Sequence, residues 1–254
     1  MNKSAAILKY LESTADALSE PERGAAIRWR ISCYRHGVSL LEAFAASRGR
    51  RLPEALLDIG GGWGGHALAF AERGVRVVLG DVNPHAFTAL QEFADKEGLP
   101  LTTKIVDAQR LPFTENSFDG VLALELIEHI DSVPDFAREI LRVMRPGGLC
   151  WVTTPNRLRI FFWGEPHYGI RYLSALPFRM QGFVATRVFG KRYPFPIRRQ
   201  YMRFSSLSAS FNDVGLLCTP RLEDKVGSLV ESRTPVSWFA REFLWSGALV
   251  RKRQ

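Results

Sequence analysis

The feature that most constrains this chain is the run Leu57-Asp58-Ile59-Gly60-Gly61-Gly62-Trp63-Gly64-Gly65, which follows a short apolar segment and precedes one with helical spacing. A glycine-rich turn between a strand and a helix lets the backbone turn tightly and lets a ligand approach closer than a Cβ would permit. Here the glycines satisfy two patterns at once. Gly60, Gly62 and Gly65 fit the dinucleotide spacing G-x-G-x-x-G, whereas Asp58, Gly60, Gly62 and Gly64 fit D-x-G-x-G-x-G. The spacing alone does not choose between them. The acid at position 58 does, because a carboxylate beside a pyrophosphate repels it but suits a ligand with a cationic amino group, such as the methionine end of S-adenosylmethionine. The plainer reading of Asp58 is a cap for loop amides.

Short apolar runs alternate with helix-period segments from Ala55 to Thr153, the sequence form of consecutive βαβ units around a parallel sheet. Strands are expected at Ala55–Ile59, Val75–Asp81, Thr102–Asp107, Asp119–Leu124 and Leu149–Thr153. Helices are expected at Gly64–Arg73, at Pro84–Glu97 with Pro84 in its first turn, and at Ser132–Met144, stopped by Pro146-Gly147-Gly148. One or two helices precede the sheet. Ser205–Val214 reads as a late helix ended by Gly215, Leu216–Leu222 as a strand, and the aromatic tail from Pro235 as a helical candidate.

Two further acids end strands. Asp81 closes the second, near the offset at which an acidic side chain meets ribose hydroxyls, and Asp107 closes the third, where it and the amide of Ala108 suit an adenine ring. Each has a plainer role as a turn former. Their coincidence at the carboxyl ends of successive strands, where open α/β sheets bind ligands, favours the binding role.

On these residues the stretch from about Leu56 to Asn156 resembles the class I S-adenosylmethionine-dependent methyltransferases, especially the group acting on quinone rings and small molecules. The landmarks are Asp58 to Gly64, Asp81, Asp107 within Asp-Ala-Gln-Arg-Leu-Pro-Phe, Ser117-Phe118-Asp119, Glu125 through His129, and Leu141 through Gly148. The resemblance implies a Rossmann-like doubly wound α/β fold with a seven-stranded sheet whose last strand is antiparallel. It assigns Asp58, Gly60, Gly62 and Gly64 to the methionine end of the cofactor, Asp81 to the ribose, Asp107 and Ala108 to adenine, and Glu125 to the substrate side. The extra glycines Gly61 and Gly65 depart from the pattern and read as loosening the loop.

Methyl transfer requires only alignment and exclusion of water, because the cofactor carries the electrophile. If the acceptor is a hydroxyl, the base candidates are His129, Glu128 and His167. Histidines at such places also serve simply to fix local backbone.

Charge is unevenly placed. The net charge is +8, yet residues 1–150 are slightly acidic and the basicity lies beyond them; residues 157–203 carry ten Lys and Arg against one Glu, interleaved with aromatics. This basic aromatic insertion after the fifth strand suits an anionic membrane surface, RNA, or an acidic or lipid-linked small molecule, and its plainer reading is a lid with solvated arginines. The tail repeats the composition with Trp238, Phe239, Phe243 and Trp245 before Arg251-Lys252-Arg253. The organisation expected is residues 1–51 as N-terminal helices capping the pocket, 52–156 as the cofactor-binding core, 157–204 as a substrate- or membrane-facing insertion, and 205–254 as the last core elements with a basic tail.

Three dispersed cysteines suggest neither a disulfide framework nor a metal site, and no apolar run reaches the length of a spanning helix. Together with an N-terminus unlike a signal peptide, this points to a cytoplasmic protein, peripheral at most at the inner membrane face. The leading expectation is a methyltransferase acting on a small-molecule or lipid- or glycan-linked acceptor at oxygen or carbon. Its rivals are an RNA methyltransferase, an NAD-dependent oxidoreductase and a non-catalytic nucleoside-binding module.

Overall fold

A computed structural model describes residues 2–47, 49, 51–163, 167–191, 197–201, 203–221, 242, 245 and 247–252. In chain order the elements are α1 (Lys3–Ser13), α2 (Glu20–Ser47), β1 (Ala55–Ile59), α3 (Gly65–Glu72), β2 (Arg76–Asp81), α4 (Phe87–Lys96), β3 (Leu101–Ile105), β4 (Phe118–Leu124), α5 (Val133–Val143), β5 (Met144–Thr153), α6 (Arg157–Trp163), a 3₁₀ turn (Leu173–Ala175), α7 (Phe178–Arg187), α8 (Phe204–Asn212), β6 (Leu217–Arg221) and β7 (Gly247–Arg251). The strands form a seven-stranded mixed sheet in the order β3-β2-β1-β4-β5-β7-β6. The order reverses between β1 and β4, the switch point beside which doubly wound sheets open a crevice at the carboxyl ends of their strands.

The chain divides into two compact units, the first comprising residues 1–122 and 142–149, the second 123–141 and 150–254. In the first unit β1 is buried at every position, as a central strand covered on both faces must be. It pairs parallel with β2, and β2 with β3. The Asp119 carboxylate accepts the N–H groups of Glu54 and Ala55 at 3.1 and 3.0 Å, so a buried acid on β4 anchors the entry to β1. The Arg142 guanidinium donates to the carbonyls of Phe113 and Leu111 at 2.6 and 2.9 Å and fixes the loop before β4. Helix α4 buries Phe87, Leu90 and Ala94, a spacing that puts all three on one face.

In the second unit β6 and β7 pair antiparallel. Phe136 of α5 meets Phe211 of α8 edge to face, with ring centroids 6.2 Å apart, and the Lys252 ammonium donates to the Leu141 carbonyl at 2.9 Å. Among the described residues no helix is long and apolar enough to cross a membrane.

Several boundaries differ from the sequence reading. Helix α4 begins at Phe87, because Pro84 opens a turn in which its carbonyl accepts the Phe87 N–H at 3.0 Å. Strand β3 stops at Ile105, and Asp107 lies beyond it in a turn closed by its own side chain, which accepts the Gln109 N–H at 2.8 Å. Strand β5 already starts at Met144, so Pro146-Gly147-Gly148 lies within a strand instead of in a loop. The end of the tail, expected to be helical, contributes β7: Ala248, Leu249 and Val250 are all buried, and the sheet supplies the pairing that a five-residue segment could not find alone. Trp238, Phe239, Phe243 and Arg253 lie outside the described residues, as do Glu165, Pro166, Tyr193 and Phe195 of the insertion.

Candidate active site

The first unit assembles the acids and glycines around one loop. Asp58, the fourth residue of β1, is 1% exposed, and its Oδ2 has no hydrogen-bond partner. Burial, and after it the neighbouring Asp81 carboxylate, push the Asp58 carboxyl up to about 7, while the Ala67 backbone N–H pulls it down. A buried acid with an unused oxygen fits a cationic group, since an ammonium would offset its desolvation. Gly60 and Gly62 take φ values of 73° and 52°, a left-handed conformation open to glycine at little cost.

Gly61 and Gly65, read from sequence as loosening the loop, are close-packing positions. A Cβ on Gly61 would stand 2.8 Å from Asp58 Oδ2 and 2.9 Å from the Leu79 side chain. A Cβ on Gly65 would stand 2.8 Å from the Cβ of Cys33, 3.0 Å from the Tyr34 nitrogen and 3.1 Å from the Arg30 carbonyl oxygen, so α2 crosses directly over the start of α3.

Asp81 ends β2 as expected and accepts two backbone N–H groups, from Gly62 at 3.1 Å and Asn83 at 2.9 Å. The turn-forming role is thus present, and the carboxylate retains further lone pairs. Asp107 is exposed and engaged in its own turn, whereas Ala108 is buried beside it.

Sequence reasoning missed Arg30. Its guanidinium lies 3.6 Å from the centroid of the Trp63 ring in the glycine loop, its Nη1 donates to Thr14 at 2.9 Å, and the Trp63 ring meets His85 edge to face at 4.7 Å. The N-terminal helices thus wall the loop. Nothing in the local sequence around Arg30 marks it, because its partner is 33 positions away in the chain.

The second unit gathers the remaining candidates. Glu125, just after β4, has φ 52° and is held by its N–H, which is within 3.0 Å of both the Thr153 carbonyl and the Thr153 hydroxyl. Desolvation and then the Glu128 carboxylate push its carboxyl up to about 7, although the residue keeps solvent contact. Glu128 is 1% exposed, and neither of its carboxylate oxygens has a hydrogen-bond partner. Its Oε1 lies 4.0 Å from His129 Nε2 and 3.7 Å from His167 Nε2, and the two imidazoles meet edge to face with centroids 5.3 Å apart. The three sequence candidates, separated by up to 39 positions, thus form one cluster.

An Asp-headed glycine loop on β1 and an acid closing β2, within this strand order, are the features through which the sequence resembles the class I methyltransferases. Residues 57–152 match the family described as the methyltransferase domain. The chain is 35% identical over 102 residues to a ubiquinone biosynthesis O-methyltransferase of Methylocella silvestris, a match spanning 40% of each protein. It is 34% identical over 108 residues to a sterol 24-C-methyltransferase of Pneumocystis carinii, spanning 41% of this chain and 29% of that one. The aligned segment is therefore less than half the length of either relative. In fold it resembles the PH0226 protein of Pyrococcus horikoshii, with a TM-score of 0.60 at 16% identity over 87% of this chain and 91% of that one.

Proposed function

We propose that the protein transfers the methyl group of S-adenosylmethionine to oxygen or carbon of a small-molecule or lipid-linked acceptor. The observation that carries this reading is the unpartnered, buried Oδ2 of Asp58 beneath the glycine loop, a site for a cationic ammonium and a poor one for a pyrophosphate. The relatives named above are, by their names, an O-methyltransferase of ubiquinone biosynthesis and a sterol 24-C-methyltransferase.

In this reading Asp58 and the glycine loop hold the methionine end, Asp81 takes the ribose hydroxyls, and Asp107 with the Ala108 amide takes the adenine edge. Bound S-adenosylmethionine supplies an electrophilic methyl on a sulfonium, and the protein orients the acceptor and excludes water. Orientation of this kind supplies ~7–11 kcal/mol of barrier reduction. When the acceptor is a hydroxyl its proton must leave, and Glu128, His129 and His167 are the groups assigned to that task, with Glu125 beside them.

The insertion extends the reading to the acceptor's surroundings. Helix α7 buries Gln181 and Ala185 and presents Arg179, Met180, Phe183 and Arg187 to solvent, followed by exposed Val188, Phe189 and Lys191. Cations and large apolar side chains on one exposed surface suit an anionic lipid surface.

Calorimetric titration of S-adenosylmethionine and NAD, followed by a labelled-methyl screen over quinol, sterol, lipid-linked and RNA acceptors, tests the proposal. Selective binding of S-adenosylmethionine and transfer to a small or lipid-linked acceptor support it. Binding of NAD alone overturns the cofactor assignment, and transfer confined to RNA overturns the acceptor assignment.

A further inference from the structure

The carboxylate of Glu128 poses a problem of its own. It is buried, both its oxygens lack hydrogen-bond partners, and its charge helps raise the carboxyl of a second acid, Glu125. A lone buried carboxylate is among the costliest groups a fold can hold unless a cation or several donors face it. What faces Oε1 is two imidazole nitrogens, His167 Nε2 at 3.7 Å and His129 Nε2 at 4.0 Å. Both separations exceed a hydrogen bond. Arg159 acts on Glu125, and the Tyr201 hydroxyl also feels the Glu128 charge.

We infer that Glu128, His129 and His167 form a divalent transition-metal site of the two-histidine, one-carboxylate type. One ligand atom from each of the three residues lies within 4.8 Å of the others. Zinc binds imidazole nitrogen and carboxylate oxygen at ~2.0–2.2 Å, so two ligand atoms on one ion stand ~3.4 Å apart in a tetrahedral arrangement and at most ~4.2 Å apart. The two Glu128 to histidine separations fall within that span, and the set as a whole, held within 4.8 Å, draws inward to reach tetrahedral spacing. The ion would face a buried carboxylate whose two oxygens accept no hydrogen bond. Three protein ligands leave one position open, the arrangement of a zinc site that binds a further ligand.

The framework around the cluster is already braced. The backbone carbonyl of Glu128 accepts the Arg198 N–H at 2.7 Å, and the Arg198 guanidinium meets Asp131 at 2.7 Å. Arg199 donates to the carbonyls of Ile130 and Asp131, each at 2.7 Å, and the Arg157 N–H donates to the Tyr201 carbonyl at 2.7 Å. The strap 198–201 thus clamps the turn that carries two of the ligands, and ligands on braced backbone lose little freedom on binding an ion.

The ion's role rests on the methyltransferase reading: an acceptor hydroxyl would fill the open position and be acidified there, its proton passing to water, because ligation takes up the lone pairs of the three residues otherwise assigned as bases. The site itself does not depend on that reading. Tag-free full-length protein, stripped with chelator and dialysed, is titrated with Zn²⁺ by calorimetry and with Co²⁺ by visible absorption, and S-adenosylmethionine is titrated separately into the same preparations.

The expected result is one ion per chain, a Co²⁺ absorption band of low-coordinate intensity, and binding weakened at least tenfold in both His167→Ala and Glu128→Gln, with S-adenosylmethionine affinity unchanged in His167→Ala. His167→Ala decides the matter if Glu128→Gln fails to fold by circular dichroism. Absence of stoichiometric binding, or equal affinity in wild type and His167→Ala, overturns the site. Loss of S-adenosylmethionine binding with an intact metal stoichiometry would count against the methyltransferase reading and leave the site standing.

Discussion

The Asp81 carboxylate at the end of β2 accepts the Gly62 N–H at 3.1 Å, tying the glycine loop to the neighbouring strand across 19 positions of sequence. The same side chain holds Asn83 and the turn that follows. Asp81→Ala should therefore disorganise the loop as well as remove the ribose acceptor. Hydrogen bonds to charged groups are worth ~1.5–3 kcal/mol, which corresponds to a ~10–150-fold loss of S-adenosylmethionine affinity. Calorimetric titration reads this directly, and an unchanged affinity would separate Asp81 from the cofactor.

Asp58 gives a pH dependence whose sign follows from its environment. Its carboxyl is raised to about 7 in the folded protein, above the ordinary value of 3.8. Between these two values the unfolded chain holds fewer protons than the native one, so the stability of the ligand-free protein falls as pH rises through the window and is level above it. An ammonium at Oδ2 favours the ionised form. Binding below pH ~7 should then release a proton, and affinity should climb with pH up to that point and flatten beyond it. Titrations in two buffers of different ionisation enthalpy measure the proton count. Asp58→Asn should abolish both the slope and the proton release, and a wild-type protein with neither would remove the charge pairing.

How far the sequence carried depended on how local each signal was. β1 was legible to the residue because four of its five positions are apolar and the run leads straight into the glycine turn, and Asp58, Gly60, Gly62 and Asp81 lay where chain order put them. β7 was not legible. Gly247–Arg251 lies in an aromatic, basic tail with no flanking motif to mark a strand, and acquires strand character by pairing with its neighbours in the sheet. The cluster of Glu128, His129 and His167 was visible as three separate candidates, but its convergence was not, since His167 reaches Glu128 only once residues beyond β5 have folded back. Arg30 over Trp63 was hidden for the same reason.

The close approach of α2 to Gly65 makes a sharp test of that hidden packing. Alanine there has no difficulty with backbone conformation, so any loss must come from the added methyl meeting the Cys33 Cβ and the backbone of Arg30 and Tyr34 at 2.8–3.1 Å. Overpacking against backbone costs ~1–3 kcal/mol. Gly65→Ala should lower the denaturant midpoint by a corresponding amount and weaken cofactor binding through the displaced loop. A variant as stable as wild type would mean that α2 yields without cost.

The exposed surface of α7 offers a test in which stability and function separate cleanly. Phe183 and Phe189 are 66% and 54% exposed, so replacing both with serine removes almost no core contact and should change stability by no more than ~0.5 kcal/mol. If these rings and the neighbouring Arg179, Arg187 and Lys191 meet lipid, wild-type protein should co-sediment with phosphatidylglycerol-containing vesicles and much less with neutral ones, and salt should weaken the association. Each cation near an anionic surface contributes ~1 kcal/mol, and each buried ring adds an apolar share that salt does not screen. The double serine variant should therefore lose the salt-resistant part, and a triple charge-neutral variant at 179, 187 and 191 the salt-sensitive part. Equal sedimentation of wild type and both variants, or none at all with anionic vesicles, would leave α7 as a cover over its own unit and direct the acceptor screen to water-soluble molecules.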